Sequence, residues 1–425
     1  MKPQNLMGTL AAIALALPAA ANAAEVVRTE DAALDVGARL QLLGFAQKLD
    51  DAYRNDARLY LFLKQGRLSV SGNYGDVKFK AQLALGGEAE IKAPNPGVSL
   101  DLLDLYVDAK LTEGLHVRVG QYKTLYSRER LTDSAVLPFA DRSIQNLAFR
   151  MGRDVGIAVH GKAGPAVMGL GVLTGGGRDV PERYLPQNLG MPMLMVRAGV
   201  DFGTGENVFA ETEKTGAPDR VQGAVFFNGF YLKDSQVGHS TVLTTKFSEK
   251  SLLINANWNP YLTQAPTATG KQWQVGGDAV VRAPAGPGFV TGEVEFNYGV
   301  YQNDYGDIRM PGGRLQVGYN WQPVEVNVRY AVVKPDGNFR FGTSNVTGTK
   351  AFQEITPALT LQLPKYNSKI VMDLPIHLNT PVITEENVGA YMLTEQPDQT
   401  SLLKNNAPIA RQNVIEARMM FQAAF

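Results

Sequence analysis

Residues 412–425 read Gln-Asn-Val-Ile-Glu-Ala-Arg-Met-Met-Phe-Gln-Ala-Ala-Phe, and apolar and polar side chains alternate along them. Every second position from Phe425 back to Ile415 is apolar, whereas the intervening positions include Arg418 and Glu416. A period of two residues is that of a β-strand, whose successive side chains point to opposite faces. Globular chains usually end in a frayed polar tail, whereas a terminal alternating strand is typical of outer-membrane β-barrels.

The first 23 residues predict a secretory signal peptide. Lys2 supplies a positive charge, Leu10–Leu17 is a short apolar segment, and Ala21-Asn22-Ala23 fits a cleavage site of small residues. Such a segment is too short to cross a membrane as a helix. We therefore expect residues 1–23 to be removed and residues 24–425 to form one barrel in the bacterial outer membrane.

The composition argues against several other classes of protein. The 425 residues contain no cysteine, so the chain has no disulfide framework, no cysteine-bound metal and no lipid anchor on a cysteine. No apolar run of about 18 residues follows the signal segment, so transmembrane helices are not predicted. The formal net charge is zero, which argues against nucleic acid as a partner.

Alternating segments of about ten residues recur from residue 36 onward, and short and long connections alternate between them. This pattern predicts an all-β fold: a transmembrane antiparallel β-barrel of about 16 strands, or 18, with short periplasmic turns and long extracellular loops. A soluble β-sandwich also alternates, but the signal peptide and the terminal strand favour the barrel. The tight turns lie near 73–76, 112–114, 162–165 and 285–288. The longer connections lie near 87–100, 123–152, 174–192, 300–312, 334–350 and 379–410, and 203–220 is long where a short turn is expected.

The connection near 123–152 is the third long one and carries the densest charge. Six basic residues lie in or beside it, against the three acids Glu129, Asp133 and Asp141. In large porins the third loop folds into the lumen, and charges in such a narrow throat determine ion selectivity. A solvated loop with local ion pairs such as Arg128–Asp133 is the alternative. The basic residues that we predict at the constriction are Lys123, Arg128, Arg130, Arg142, Arg150 and Arg153.

Two stretches around this connection resemble a known family. Residues 117–132 read VRVGQYKTLYSRERLT and residues 139–161 read FADRSIQNLAFRMGRDVGIAVHG. Together they are similar to the phosphate-selective porins of the porin O and P family, and a weaker similarity of layout extends from residue 37 to Phe425. The resemblance implies a trimeric, sixteen-stranded barrel that admits anions, with the third loop in the pore.

The predicted lumen wall carries both signs of charge. Its basic residues are Lys78, Lys80, Arg118, Arg329 and Arg418, and its acids are Asp104, Asp108, Glu293, Glu295, Glu325 and Glu416. A wall of mixed sign is not strongly selective, so we expect selectivity to depend on the third loop.

Enzymatic and metal chemistry are not predicted. The four histidines, His116, His160, His239 and His377, have no metal-type spacing, and no nucleophile is paired with them. We therefore expect no catalytic residue, no metal and no cofactor.

The sequence thus predicts an outer-membrane porin for passive diffusion of small hydrophilic solutes, with a preference for anions such as phosphate. The expected partners are outer-membrane lipid, two further copies of the chain, and the barrel-assembly machinery that would read the strand ending at Phe425. A structural or tethering barrel plugged by the third loop and residues 379–410, or a channel for another nutrient, are the alternatives.

Overall fold

The computed structural model describes residues 24–50, 57–85, 100–149, 151–175, 192–209, 216–236, 269–303, 306–334, 336–341, 344–346, 351–364, 367–381 and 411–424. The predicted signal peptide, the candidate pore residue Arg150, the C-terminal Phe425 and most of 379–410 lie outside these residues.

Twenty β-strands within the described residues belong to one sheet, and every ladder between them is antiparallel. Two short helices, α1 (Arg128–Leu131) and α2 (Ile144–Phe149), lie in the connection between β6 and β7. The strands are β1 (Ala24–Arg28), β2 (Ala32–Asp50), β3 (Ala57–Tyr74), β4 (Val77–Leu85), β5 (Leu100–Thr112), β6 (Leu115–Lys123), β7 (Arg153–Ala163), β8 (Ala166–Leu173), β9 (Met193–Phe202), β10 (Gln222–Gln236), β11 (Thr269–Ala285), β12 (Gly288–Asn303), β13 (Gly306–Trp321), β14 (Val324–Val333), β15 (Asp336–Phe341), β16 (Ser344–Val346), β17 (Phe352–Leu363), β18 (Ser368–Asp373), β19 (Ile376–Pro381) and β20 (Arg411–Ala424).

The sheet closes on itself because β2 pairs with β3 on one side and with β20 on the other. β18 and β19 follow each other along β20 and form one broken wall strand, whereas β1, β15 and β16 are additional short strands. The closed wall therefore has 16 antiparallel strands. This confirms the predicted barrel and selects sixteen strands over eighteen.

Side chains alternate between the outside and the lumen of the barrel. In β14 the outward Val326 is 53% exposed, whereas its lumen-facing neighbours Asn327 and Arg329 are 3% and 1% exposed. The terminal strand behaves in the same way, with Ile415 outward and Arg418 inward. The outer surface is thus apolar and the lumen polar, which is the arrangement that lipid outside and water inside require.

Tight turns join consecutive strands at one rim, as predicted. Gly164 and Gly286 occupy two of these turns with φ of 58° and 57°, a left-handed conformation that glycine adopts at little cost. The predicted long connection at 300–312 is wrong, because β12 and β13 pair continuously from Phe289–Asn320 to Asn303–Gly306. The glycines of that region instead make room inside the barrel. A Cβ atom on Gly312 would lie 2.4 Å from the ring of Phe149 in α2.

Apolar residues inside the barrel form a core between the β6–β7 connection and the wall. Tyr122 contacts Phe209 edge to face at 5.7 Å between ring centroids, and Tyr126 contacts Phe230 in the same way at 5.4 Å. Phe209 belongs to residues 203–209, the start of the connection that looked too long for a turn. This segment lies inside the lumen, where Glu206, Val208 and Phe209 are buried. Neither described helix is long and apolar enough to span a membrane.

A charge on the outer face of a wall strand should destabilise the barrel according to its depth. Val294→Arg, in the middle of β12, should lower the free energy of unfolding by roughly 2–4 kcal/mol, since arginine there loses its hydration in lipid. Val221→Arg is the matched control, because Val221 is exposed at the short-turn rim and the same change there should cost about 0–1 kcal/mol. Denaturant unfolding from phospholipid vesicles measures both, and equal costs at the two positions would contradict the assigned depth of β12.

Candidate functional site

The β6–β7 connection, residues 124–152 and hereafter loop 3, lies inside the barrel and contacts opposite sides of its wall. On one side Asp133 pairs with Arg39 of β2, and Asp141 lies 3.2 Å from the ammonium nitrogen of Lys64 of β3. On the other side Nε of Arg128 donates to Asp278 of β11 at 2.9 Å. Loop 3 therefore crosses the lumen and is held at both ends of its path.

Wall side chains also hold the backbone of loop 3. Lys369 donates to the carbonyl of Leu137 at 2.7 Å, and Arg329 donates to the carbonyl of Asp141 at 3.0 Å. The ammonium of Lys64 donates to the carbonyl of Ala140. Because buried carbonyls need donors, these cations of the wall act as anchors for loop 3.

Arg128 is enclosed by acids and does not line an open channel. It is the first residue of α1, and its guanidinium donates to both carboxylate oxygens of Glu206 at 2.6 and 2.7 Å. Its Nε donates to Asp278 of β11 at 2.9 Å. The alternative reading of the sequence, a local Arg128–Asp133 pair, is not what the structure shows. Asp133 pairs with Arg39, on the other side of the lumen.

The wall around α1 and α2 carries more acids than bases, and we call it the acidic wall. Asp278 binds Arg197 at 2.7 Å, Glu293 binds Arg314 at 2.9 Å, and Glu354 binds Arg329 at 2.9 Å. Glu129 of α1 enters the same network, 3.3 Å from Arg329 and 3.5 Å from Arg314. The six acids of this network are Glu129, Glu206, Asp278, Glu293, Glu295 and Glu354, and its four arginines are Arg128, Arg197, Arg314 and Arg329.

The opposite side of the lumen, from β2 to β7, is basic. Arg39 and Arg67 are direct partners across β2 and β3, and Lys123 and Arg153 are direct partners across β6 and β7. Like charges placed directly opposite each other repel, so counter-ions are required. We call these four residues and Lys80 the basic wall.

Two aspartates provide the counter-charge of the basic wall. Asp133 of loop 3 interacts electrostatically with Arg39, Lys123 and Arg67. Asp104 binds Arg153 at 2.7 Å and interacts electrostatically with Lys80 and Lys123. These two aspartates interact with all five cations of the basic wall, and cationic side chains are concentrated on this side of loop 3.

Two aspartates of loop 3, Asp133 and Asp141, are charged well into the acidic range. Burial raises the pKa of Asp133, but Arg39, Lys123 and Arg67 outweigh it and hold that pKa well below its usual range. The pKa of Asp141 is lowered, since burial is outweighed chiefly by Lys64. A carboxyl group whose pKa is lowered by folding stabilises the folded state at any pH above its ordinary pKa. This stabilisation is lost only as the pH falls through the lowered pKa. The docking of loop 3 is therefore resistant to mild acid.

The other predicted pore residues have different roles. Arg142 donates to the carbonyls of Glu129 and Thr132 at 2.9 and 2.8 Å and so stabilises loop 3 itself. Lys123 donates to the carbonyl of Leu131 at 2.9 Å, and Arg130 is buried in α1. Among the predicted wall residues, Arg418 binds Asp373 at 2.7 and 2.8 Å, and Arg118 binds Asp108 at 2.8 Å.

Two cavities lie at the short-turn rim, on either side of residues 203–209. One has a volume of about 450 Å³, and Glu206, Glu325 and Lys369 are among its lining residues. The other has a volume of about 580 Å³, and Lys78 and Lys80 are in its lining. The predicted wall lysines therefore face water-filled space at this mouth of the lumen.

Sequence reasoning missed Arg39, Arg67 and Glu206. Arg39 and Arg67 lie on strands in which apolar and polar side chains alternate. The period of two places Arg39 on the same face as Gln41. Extending the lumen assignment to β2 and β3 would have found them. Glu206 lies outside any strand, so no periodicity in the sequence indicated it.

The comparisons with known proteins agree with this geometry. Residues 36–185 match the family model of phosphate-selective porin O and P, which confirms the resemblance predicted from the sequence. No curated protein matches the chain.

Solved outer-membrane proteins have a similar fold. The anion-selective porin from Comamonas acidovorans is 13% identical with a TM-score of 0.53, and the alignment covers 93% of this chain and 100% of that chain. The outer-membrane channel DcaP of Acinetobacter baumannii is 11% identical with a TM-score of 0.52, covering 95% of this chain and 100% of that chain. OmpT of Vibrio cholerae is 10% identical with a TM-score of 0.52, covering 94% of this chain and 100% of that chain. At such identities the likeness concerns the fold.

The contact between Arg128 and Glu206 should contribute strongly to the docking of loop 3. Arg128→Gln or Glu206→Gln alone should lower the free energy of unfolding by roughly 3–5 kcal/mol, because each leaves a buried charge without its main partner. The double variant should lose less than the sum, giving a coupling of about 1–3 kcal/mol in a double-mutant cycle. The exposed pair Lys110–Glu113 is the matched control and should show no measurable coupling. Additive losses for Arg128 and Glu206 would show that the two side chains do not act together.

Proposed function

We propose that the chain is a channel of the bacterial outer membrane for passive diffusion of small hydrophilic solutes, with a preference for anions set by the basic wall. The observation that carries this proposal is the unequal distribution of charge in the lumen. The five cations of the basic wall lie on one side of loop 3, with Asp133 and Asp104 among their partners, and the acidic wall lies on the other side. The porin fold and the family match support a channel rather than an enzyme.

The unequal distribution of charge has a strong effect on ions because it lies inside a narrow lumen. In a narrow lumen with low-dielectric walls, field lines are focused and the local concentration of a counter-ion rises. Guanidinium and ammonium groups replace part of the hydration shell of an anion with charge-assisted hydrogen bonds. The counter-ions Asp133 and Asp104 keep this attraction moderate, so that a bound anion can leave again.

The role of Arg128 in this mechanism is indirect. Its guanidinium is neutralised by Glu206 and Asp278, so it positions loop 3 rather than attracting the solute. Attraction is assigned instead to the basic wall as a whole, because Asp104 and Asp133 each interact with three of its cations. The described members of the predicted constriction set are therefore divided between anchoring and attraction.

Phosphate is the proposed anion, with support from the family model that matches residues 36–185. A homotrimer and assembly through the C-terminal strand are proposed on the same resemblance. Export through a cleaved signal peptide at residues 1–23 remains a prediction from the sequence.

A plugged barrel with a structural or tethering role is the second candidate. The anchors of loop 3 to both sides of the wall, such as Arg128–Asp278 and Asp133–Arg39, favour it. The two candidates differ in conductance, since a plugged barrel inserted in a planar bilayer passes no steady current.

The basic wall should determine charge selectivity. Under a tenfold KCl gradient, the reversal potential of an ideally selective channel is about 59 mV. The reversal potential of the wild-type channel should have the sign that indicates preference for chloride. Arg67→Gln combined with Lys80→Gln should move it by ten or more millivolts, on the order of a fifth of that limit, towards cation preference.

The control is Lys233→Gln combined with Lys271→Gln, which removes the same charge from exposed positions of β10 and β11. It should leave the reversal potential nearly unchanged. Equal shifts in both double variants would refute the basic wall as the selective element. Added phosphate should reduce the chloride current of the wild-type channel. An undiminished current would exclude phosphate as the preferred anion and leave the anion preference intact.

A further inference from the structure

Two histidines and an aspartate meet on the lumen wall near the short-turn rim. His116 of β6 and His160 of β7 are direct partners across the two strands, and their rings stack with centroids 5.2 Å apart and planes at 21°. Asp108 of the neighbouring β5 reaches both, with Oδ1 at 3.2 Å from Nδ1 of His116 and Oδ2 at 2.9 Å from Nε2 of His160. We call these three residues the histidine cluster.

The histidine cluster has the geometry of a chelating site. One nitrogen of each ring and a carboxylate oxygen lie within 4.8 Å of one another. Direct cross-strand partners have Cβ atoms about 4.5–5.5 Å apart, so two imidazoles there can reach one ion without moving the backbone. Residues on three hydrogen-bonded strands are also held more rigidly than residues on a loop.

Neighbouring side chains fix the orientation of the carboxylate. Arg118 donates from Nε to Oδ2 of Asp108 at 2.8 Å. Its guanidinium carbon lies 3.6 Å from the ring centroid of Phe209 and 4.1 Å from that of Tyr106. Phe209 also meets the ring of His160 edge to face at 5.0 Å. Arg118 thus holds Oδ2 and keeps Oδ1 turned towards Nδ1 of His116, as residues behind a metal ligand commonly do.

We propose that the histidine cluster is a binding site for a divalent transition-metal ion such as Zn²⁺. Two imidazoles and one carboxylate suit Zn²⁺, Cu²⁺ and Ni²⁺, whereas Mg²⁺ and Ca²⁺ require more oxygen ligands. Three protein ligands leave a coordination position open to water. That position faces the cavity of about 580 Å³, whose lining includes all three residues of the cluster.

The surrounding charge restricts which cations can bind. Lys162 is neutralised by Asp201 at 2.7 Å, and Lys78, Lys80 and Arg118 offset the three acids of the cavity lining, Asp35, Asp108 and Glu113, so no excess of negative charge is available. A hard cation that depends on carboxylate charge is therefore disfavoured, whereas an ion that forms strong bonds to imidazole is retained. The sequence indicated no such site, because His116 and His160 have no motif spacing and become neighbours only through the pairing of β6 with β7.

Calorimetric titration of the folded, detergent-solubilised full-length protein with ZnCl₂ at constant pH tests the proposal. The wild-type protein should bind one Zn²⁺ per chain and should not bind Mg²⁺. His116→Gln and His160→Gln should each weaken Zn²⁺ binding by at least about tenfold, since even residues behind a ligand change affinity by 10–100-fold. His239→Gln is the matched control, because it removes a histidine outside the cluster, and it should bind as the wild type does.

Absence of Zn²⁺ binding to the wild-type protein would overturn the proposal, and so would unchanged affinity in both cluster variants. A spectroscopic test on the wild-type protein keeps the proposal falsifiable if the variants do not fold. With one equivalent of Cu²⁺, electron paramagnetic resonance should show hyperfine coupling to two imidazole nitrogens. Coupling to one nitrogen or to none would exclude a site shared by His116 and His160.

Discussion

The pairing of β2 with β20 is the constraint on which the rest of the structure depends. It closes the sheet, so no wall strand presents an unpaired edge to lipid. Closure also divides every strand into an apolar outer face and a polar inner face, because successive side chains point in opposite directions. The charges of the wall are thereby collected in one enclosed space, where each must find water or a partner.

Loop 3 supplies many of those partners. Glu129 lies between Arg314 and Arg329, Arg128 lies between Glu206 and Asp278, and Asp133 lies beside Arg39. Buried ion pairs often contribute little net stability, since desolvation offsets their attraction. Removing one member is nevertheless costly, because it leaves an uncompensated charge. These pairs therefore specify where loop 3 lies, while the contacts of Tyr122, Tyr126 and Phe149 contribute the apolar burial that holds it there.

The fold could be predicted from the sequence because its rule is local. The period of two in 412–425 and the tight turn at 162–165 depend on near neighbours, and both are confirmed. Residues 300–312 were predicted as a long connection because their glycines indicate a turn when the partner strand is not known. In the structure they belong to the paired strands β12 and β13. The partners of Arg128 could not be predicted, since Glu206 and Asp278 are distant in the chain and are brought together only by closure of the barrel. Likewise, the stacking of His116 on His160 follows from the register of β6 and β7, which the sequence alone does not specify.

The number of arginines in a lumen does not by itself indicate whether the lumen attracts anions. The network of the acidic wall contains four arginines and six acids, so its guanidinium groups are fully compensated and two negative charges are in excess. The basic wall carries five cations against Asp133 and Asp104, and its like-charged pairs Arg39–Arg67 and Lys123–Arg153 lie directly opposite each other. Repulsion within such pairs is an energetic cost that a bound anion relieves. Under the proposed function, a solute of opposite charge that binds between these pairs would stabilise the folded barrel, because it interacts with the folded state and not with the unfolded chain.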